Sequence, residues 1–400
     1  MKENLLRRIL VLSTLFILFT NVLVPVSANC VEKPFMINRV ELIDDDFDQA
    51  IIDYMNSGHM PSLALAIIKN NSMVWSKGYG YADIKNKKEA TNETVYMLAS
   101  ISKTFAATAI MQLWEKGLFH LDDDVNDYLP FNVRNPNYPD TPITFRMLLT
   151  HRSSLAARNI NLFTLFSILR VPYDYLGEYL NPGGKLYKPN HWKDYPPGEQ
   201  QSYSSTGFEL LGYLVECITN QSLPEYCTKN IFQPLDMKNT SYYLPFYKKE
   251  QLAVQYIYLL GKYIALPHFE DRNYASGGLR SNLEDLSHYL IAYMNGGEYN
   301  GVKILKNDTV ELMFTLQYPS DNYRGYGLGW QIFLSHNDSQ NIIRIGHNGG
   351  MPGSQTYMFY HVFEDVGIIM FTNQHLSYSM NNLISWFSII NLLTDKAKQY

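Results

Sequence analysis

The stretch Ala99-Ser100-Ile101-Ser102-Lys103-Thr104-Phe105 begins an apolar helical pattern that continues to Leu118. Large apolar residues recur along it at helical spacing, and Gly117 stands near its end. We therefore predict a long buried helix over residues 100–118. Because three residues separate Ser100 from Lys103, both side chains lie on one face of its first turn.

A predicted hairpin leads into this helix. The runs 62–69 and 72–80 are rich in β-forming residues and are joined by Asn70-Asn71, which is typical of a tight turn. A short helix is predicted before them over residues 46–55. The order is thus helix, hairpin, buried helix.

The second half of the chain supplies further strands. A helix over 283–294 precedes strand candidates at 328–334, 342–347, 355–361 and 366–372 and an amphipathic helix from about Ser379. Strands that follow one another without intervening helices are expected to pair antiparallel. Residues 119–245 instead show helical pieces between Pro-rich loops, which indicates an inserted helical lobe. We predict an α/β protein of the α+β type, an antiparallel sheet flanked by helices with this lobe inserted.

Composition limits the partners. The chain has 400 residues, 46% of them hydrophobic and 18% charged, which is enough apolar surface for a large core. Its formal net charge is −5 and it contains no basic block, which argues against nucleic-acid binding. A small molecule or a peptide is the expected partner.

The N-terminus predicts export. Lys2, Arg7 and Arg8 precede an apolar run from Ile9 to Val26, and Ser27-Ala28 follows it. This pattern is typical of a secretory signal peptide over residues 1–28, with the folded domain over 29–400. An uncleaved membrane anchor is the alternative, and a membrane is an expected partner only in that case. In both cases the folded domain is expected outside the cell.

Cysteine and histidine usage argues against a disulfide framework and against a metal site. Only three cysteines occur, and Cys217 and Cys227 either pair or remain free thiols. No Cys/His cluster and no His-x-x-x-His occurs among the ten histidines. We expect neither a metal nor an organic cofactor.

Ser100 and Lys103 form the only Ser-x-x-Lys in the chain. At a helix N-terminus the amine can take the serine proton, and the helix dipole stabilises developing negative charge. On its own the motif is more often a helix cap followed by a solvated lysine. Here, however, Lys103 lies in an apolar helix, where an unpaired ammonium is costly.

Two further motifs contain groups suited to catalysis. Tyr203 lies in a turn before an apolar helix, and a phenol near a cation can act as a base, although a core tyrosine is the ordinary explanation. His347-Asn348-Gly349-Gly350 contains the only His-x-Gly, and its glycines let a backbone N–H approach a substrate. The ordinary explanation there is a strand-ending turn with a surface histidine.

The order Ser-x-x-Lys, Tyr-x-Ser, His-x-Gly resembles the serine β-lactamase-related hydrolases, in particular their class C β-lactamase, D-peptidase and esterase branch. The resemblance covers about residues 45–390. It includes four further stretches, which are Gly78–Asp83, Leu148–His151, Pro234–Met237 and Gly277–Ser281. The resemblance implies an antiparallel sheet with helices on both faces, a helical lobe, and a site between them.

The resemblance also implies roles for individual residues. Ser100 would be the acylated nucleophile, Lys103 its proton acceptor, and Tyr203 the group that passes a proton to the leaving group. His347 stands where many relatives have Lys, and would lend positive charge or hydrogen bonding. Together with Asn348 and Gly349, Gly350 would line the substrate, and its N–H would form the oxyanion hole with that of Ser100.

This chain departs from the family at two positions. Ser205 stands where relatives usually have Asn, so a substrate carbonyl would lose an amide partner. Ser154 stands where relatives commonly have Gly, which we interpret as a loop difference.

The sequence also bears on two other functions. A non-catalytic binding or scaffold protein that retains the fold is the alternative to an enzyme, and Ser205 is its only support. An α/β-hydrolase is rejected because no Gly-x-Ser-x-Gly occurs in the chain.

Overall fold

The computed structural model describes residues 44–157, 175–270, 274–319, 323–335, 342–375 and 380–400, and the predicted signal segment lies outside them. The helices are α1 (Asp44–Ser57), α2 (Ser102–Glu115), α3 (Phe145–Leu149), α4 (Tyr175–Leu180), α5 (Ser205–Thr219), α6 (Leu223–Cys227), α7 (Tyr274–Gly277), α8 (Leu283–Met294), α9 (Asn307–Phe314) and α10 (Met380–Lys396). The strands are β1 (Ser62–Lys69), β2 (Ser72–Asp83), β3 (Lys88–Glu89), β4 (Tyr96–Met97), β5 (Tyr256–Leu259), β6 (Lys262–Ala265), β7 (Arg280–Ser281), β8 (Glu298–Tyr299), β9 (Val302–Lys303), β10 (Arg324–Tyr326), β11 (Gln331–Leu334), β12 (Ile342–Met351), β13 (Ser354–His361) and β14 (Val366–Thr372).

An antiparallel sheet lies at the centre of the part of the chain that the structure describes. Its strand order is β10-β11-β12-β13-β14-β1-β2-β3, so the first strand of the chain pairs with the last, with Leu63 opposite Thr372. The helices between β3 and β10 are therefore an insertion into one continuous sheet. This confirms the predicted antiparallel architecture.

The hairpin of β1 and β2 forms as predicted. Asn70 and Asn71 at its tip have φ values of 51° and 59°, in the left-handed region that a type I′ turn needs at both positions. Asparagine tolerates this conformation better than most residues. The turn thus joins β1 to β2, whose register shifts at an irregularity between Ile67 and Ile68.

Helices cover both faces of the sheet. On one face, Gly367 of β14 packs so closely to α8 that an added Cβ would lie 3.0 Å from Leu290 Cδ2. On the other, Trp75 of β2 lies edge to face with Phe47 of α1, with ring centroids 5.6 Å apart, and Lys396 of α10 lies over the same two rings. The sheet is therefore the middle layer, as predicted.

Helix α2 lies inside the protein. Every residue from Ser102 to Leu113 is buried, and Phe105 stacks on Tyr289 of α8 with ring centroids 3.9 Å apart. Gly117, at φ 71°, ends the helix, because its N–H bonds to Trp114 O while that of Leu118 bonds to Leu113 O. This Schellman arrangement explains why the helix stops three residues before the predicted end.

The region over 119–245 contains short helices and 3-10 turns, as the Pro-rich pattern indicates. Its longest described helix, α5, packs against α2. Residues 46–400 form one compact unit, and a lobe boundary at 119 and 245 stays a prediction.

The predicted strand over 328–334 is wrong in its first half. Gly327 N–H bonds to Trp330 O, and Gly329 has φ 84°, so residues 327–330 form a turn and β11 begins at Gln331. Gly329 also lies against α2, because an added Cβ would be 2.3 Å from Ala107 Cβ. The apolar run therefore packs the turn onto the helix instead of extending the strand.

Across the described ranges, helices are too short or too polar to cross a bilayer. Cys217 and Cys227, whose pairing the sequence leaves open, are free thiols, and Cys227 is buried.

Candidate active site

Ser100 lies in a one-turn 3-10 segment, Ala99–Ile101, immediately before α2. Ala99 has φ 49°, a left-handed conformation that costs free energy for a residue other than glycine. Ser102 holds the turn, since its hydroxyl donates to Ala99 O at 2.7 Å and accepts from Leu279 N–H at 3.0 Å. The backbone before the predicted nucleophile is thus strained and fixed.

Lys103 points from the buried first turn of α2 towards Ser100. Its Nζ lies 3.0 Å from Ser100 Oγ and donates to the carbonyl of Ser276 at 2.7 Å. The side chain is fully buried, and Nζ lies 5.1 Å from the centroid of the Tyr203 ring. The structure therefore brings together the three residues predicted to be catalytic.

Tyr203 lies just before α5, between two histidine rings. The ring centroids of His151 and His347 are 4.4 Å and 6.3 Å from that of Tyr203. Burial raises the pKa of Tyr203 to about 12, against the opposing effects of a hydrogen bond with Ser100 and the charge of Arg324. The phenol therefore keeps its proton at neutral pH, and Lys103 is the better candidate to accept the serine proton.

His347 lies on β12 and is fully buried. Its Nδ1 lies 2.6 Å from the carbonyl oxygen of Asn348, which accepts the Nδ1 proton. Burial, together with the charge of Lys103, lowers the pKa of His347 to about 3. The imidazole is therefore neutral, so it offers hydrogen bonding and not positive charge. Among the residues that the structure describes, its buried Nε2 has no hydrogen-bond partner.

The other residues of the His347 motif are placed differently. Gly349 is buried against the nucleophile turn, while Gly350 is exposed opposite Gln355 of β13. The side chain of Asn348 donates to Gln331 Oε1 of β11 at 3.3 Å. The assignment of these three residues to substrate binding stays a prediction.

Ser205 is the first residue of α5, and it is partly buried. Ser204 caps the helix, since its Oγ accepts from Gly207 N–H at 3.2 Å. The departure from the family pattern therefore lies on the first helical turn after Tyr203.

Gly349 permits the close approach of β12 to the segment before Ser100. A Cβ at this position would lie 2.1 Å from Thr356 Oγ1 and 2.2 Å from Leu98 O. Thr356 Oγ1 itself donates to Leu98 O at 2.8 Å, so the added methyl group would break that contact.

We expect Gly349→Ala to lower the free energy of unfolding by about 1–3 kcal/mol, the usual cost of overpacking a core. Urea unfolding measures the change. Gly350→Ala is the matched comparison for stability, because its Cβ would meet only the end of the Gln355 side chain, at 3.1 Å. Equal stability of the two variants would contradict the prediction.

Sequence reasoning gives no role to His151, although this residue ends the family-like stretch Leu148–His151. His151 Nδ1 accepts from Ser204 N–H at 3.1 Å, and its carbonyl accepts from Ser202 N–H at 2.7 Å. Burial holds the pKa of His151 well below its usual value, so the ring is neutral with its proton on Nε2. His151 thus fixes the backbone on both sides of Tyr203.

Arg324 is a second residue that sequence reasoning missed. It lies on the edge strand β10, where its guanidinium donates to Tyr326 Oη at 3.3 Å. The Tyr326 ring meets that of His151 edge to face, with centroids 4.7 Å apart. No sequence motif surrounds Arg324. Its place near the site depends on the pairing of β10 with β11, which its neighbours in sequence do not indicate.

Among the described residues, no group of His, Cys, Asp and Glu side chains is arranged to hold a metal ion.

The chain is similar in sequence to known proteins. Protein flp of Staphylococcus aureus is 26% identical over 337 residues, which are 83% of this chain but only 63% of that protein. A putative D-alanyl-D-alanine carboxypeptidase of Escherichia coli is 28% identical, with 72% of this chain and 71% of that protein covered. The chain thus spans less than two thirds of the length of Protein flp.

Solved structures show the same fold. An octameric penicillin-binding protein homologue from Pyrococcus abyssi superposes with a TM-score of 0.71 at 27% identity, covering 88% of this chain and 78% of that one. EstCE1, a hydrolase with promiscuous acyltransferase activity, superposes with a TM-score of 0.68 at 18% identity, covering 88% and 99%. Since the sequence model of the Beta-lactamase family matches residues 47–381, within the span expected from the motifs, the chain belongs to the beta-lactamase family.

Proposed function

We propose that this protein is an exported serine hydrolase that transfers acyl groups through an acyl-enzyme on Ser100. The observation on which the proposal depends is the 3.0 Å contact between Ser100 Oγ and the fully buried Nζ of Lys103. A buried lysine that contacts a serine and a carbonyl is arranged as a nucleophile–base pair. The carboxypeptidase-like relative supports an acyl substrate.

The proposed reaction has two halves. In the reactive form the amine of Lys103 is neutral. Ser100 Oγ attacks the substrate carbonyl carbon while its proton passes to Lys103 Nζ, and backbone N–H groups at Ser100 and Gly350 stabilise the oxyanion. When the bond to the leaving group breaks, the leaving group takes a proton through Tyr203. Water then attacks the acyl carbon of the acyl-enzyme. Its hydroxyl group stays on that carbon to give the free acid, and its other hydrogen returns to Ser100 Oγ.

The proposed substrates are an ester, a D-amino-acid peptide or a β-lactam, since all three present an acyl carbon to the same nucleophile. A fluorophosphonate that labels Ser100, followed by a panel of the three classes, tests the proposal. Turnover of at least one class supports it. Absence of any adduct on Ser100 with every reagent would refute it and favour the binding-protein alternative.

We expect Ser205→Asn to preserve or improve turnover. The substitution restores the amide that relatives use to hold a substrate carbonyl, on the first turn of α5 two residues after Tyr203. Steady-state kcat/KM on the best substrate of the panel measures the effect. An unchanged Tm would show that the fold is intact, and a large loss of kcat/KM would then mean that the pocket is built around serine.

A further inference from the structure

The short helix α7 supplies the second contact of Lys103. The carbonyl of Ser276 accepts from Lys103 Nζ at 2.7 Å, so the direction in which the amine points depends on where α7 lies. A four-residue helix cannot fix its own position, since isolated short helices are unstable. Another element must hold α7 in place.

That element is α5. Three of its residues, Glu209, Gly212 and Glu216, share one helical face and meet successive residues of α7. Glu209 Oε1 accepts from the hydroxyl of Ser276 at 3.3 Å, and Glu216 Oε1 accepts from that of Tyr274. Between them, a Cβ on Gly212 would lie 2.6 Å from Ala275 Cβ. Helix α7 therefore lies directly on α5, with a carboxyl group at each end.

Glu209 is the more deeply buried of the two carboxyl groups, with 5% of its surface exposed. Its second oxygen accepts from the hydroxyl of Tyr175 on α4. A carboxyl group that accepts hydrogen bonds through both oxygens has the arrangement expected of an ionised carboxylate. A charge buried in this way needs such donors. Ser276 thus links this carboxylate to Lys103, since its hydroxyl contacts Glu209 and its carbonyl contacts Nζ.

We propose that Glu209 is a positioning residue for acyl transfer, which through the Ser276 hydroxyl holds the carbonyl that directs Lys103 Nζ at Ser100. The inference rests on the proposed function, because positioning matters only if Lys103 accepts the proton. Displacement of a reacting group by about 1 Å can cost a hundredfold in rate. Loss of Glu209 is therefore expected to slow acylation while substrate binding changes little.

Glu216 provides a matched control on the same helix. Its contacts, from Tyr274 Oη and from Leu223 N–H at 2.8 Å, are both with Oε1, an atom that glutamine keeps. Burial also raises the pKa of Glu216 to about 7, so a neutral side chain is already tolerated there near neutral pH. Glu216→Gln should leave the contact between Ser276 and Lys103 in place.

The test compares acylation kinetics of Glu209→Gln, Glu209→Ala, Ser276→Ala and Glu216→Gln with those of the wild type, using a p-nitrophenyl ester under single-turnover conditions. We expect the acylation rate constant to fall about tenfold or more in Glu209→Ala, with the apparent dissociation constant within about threefold. Glu209→Gln keeps one oxygen that can still accept from the Ser276 hydroxyl, so its rate constant should fall less than that of Glu209→Ala. Glu216→Gln should stay within about threefold of wild type.

A double-mutant cycle shows whether Glu209 acts through Ser276. If it does, Glu209→Ala combined with Ser276→Ala is no slower than the slower single variant, because both remove the hydrogen bond between these two residues. Additive losses, wild-type rates in both Glu209 variants, or an equal loss in Glu216→Gln would overturn the proposal.

A crystal structure of Glu209→Ala separates this inference from the proposed function. Wild-type protein that is not acylated on Ser100 would refute the proposed function, whereas the crystal structure tests positioning without activity. Separation of Ser276 O from Lys103 Nζ by more than about 0.5 Å beyond the present contact supports the role. An unchanged contact overturns it, whatever the activity.

Discussion

Ser100→Ala is expected to abolish covalent labelling by a fluorophosphonate and all turnover of an acyl substrate. Ser100 lies on a strained turn at the start of α2, and its Oγ is 3.0 Å from Lys103 Nζ. No other serine of the chain has a lysine three residues later. Intact-mass spectrometry with peptide mapping of the trapped adduct measures the loss.

The control for this variant is Ser72→Ala. Ser72 is exposed at the start of β2, where its hydroxyl donates to Lys69 O, so labelling should be unchanged. Ser102 is less suitable, because its hydroxyl makes two buried hydrogen bonds that hold the nucleophile turn. An adduct mapped to a different serine, or full labelling of Ser100→Ala, would show that Ser100 is not the nucleophile.

The parts of the fold with a local cause were predictable. The β1–β2 hairpin follows from two β-rich runs and an Asn-Asn turn whose residues adopt left-handed φ values. Strand β14 follows from an apolar run that is buried along its whole length. Helix α2 follows from its spacing and from Gly117. In each case the signal lies within about a dozen residues of the element that it forms.

Contacts between distant segments were not predictable. His151 contacts Tyr203 across 52 positions of sequence, and Glu209 meets Ser276 across 67. A single histidine or glutamate has no local pattern that distinguishes these contacts from ordinary surface roles. The turn at Gly329 was missed because packing against α2 overrides the strand propensity of its neighbours.

The protonation state of each site residue depends on burial, which the spacing of residues in the sequence does not show. His347 was expected to offer positive charge or hydrogen bonding, and full burial leaves only the second. Tyr203 was considered as a base, but burial keeps its proton in place. The sequence thus predicts which residues form the candidate site, whereas their protonation states depend on burial that only the structure shows.

Lys103→Ala is expected to slow acylation of Ser100 by about a hundredfold or more, the usual range for loss of a general base. This corresponds to at least about 2.7 kcal/mol in the activation free energy. The reason is geometric, since Lys103 Nζ contacts Ser100 Oγ while the Ser276 carbonyl keeps it in place. Stopped-flow measurement of the ester burst gives the rate constant.

The alanine variant also removes a fully buried side chain, so lost packing must be separated from the lost amine. Lys103→Met keeps the volume of the side chain and should be about as slow as Lys103→Ala, although more stable in urea. Lys116→Ala, at the exposed C-terminal end of the same helix, should acylate at the wild-type rate. Acylation of Lys103→Met at the wild-type rate would show that packing, and not proton transfer, is what Lys103 contributes.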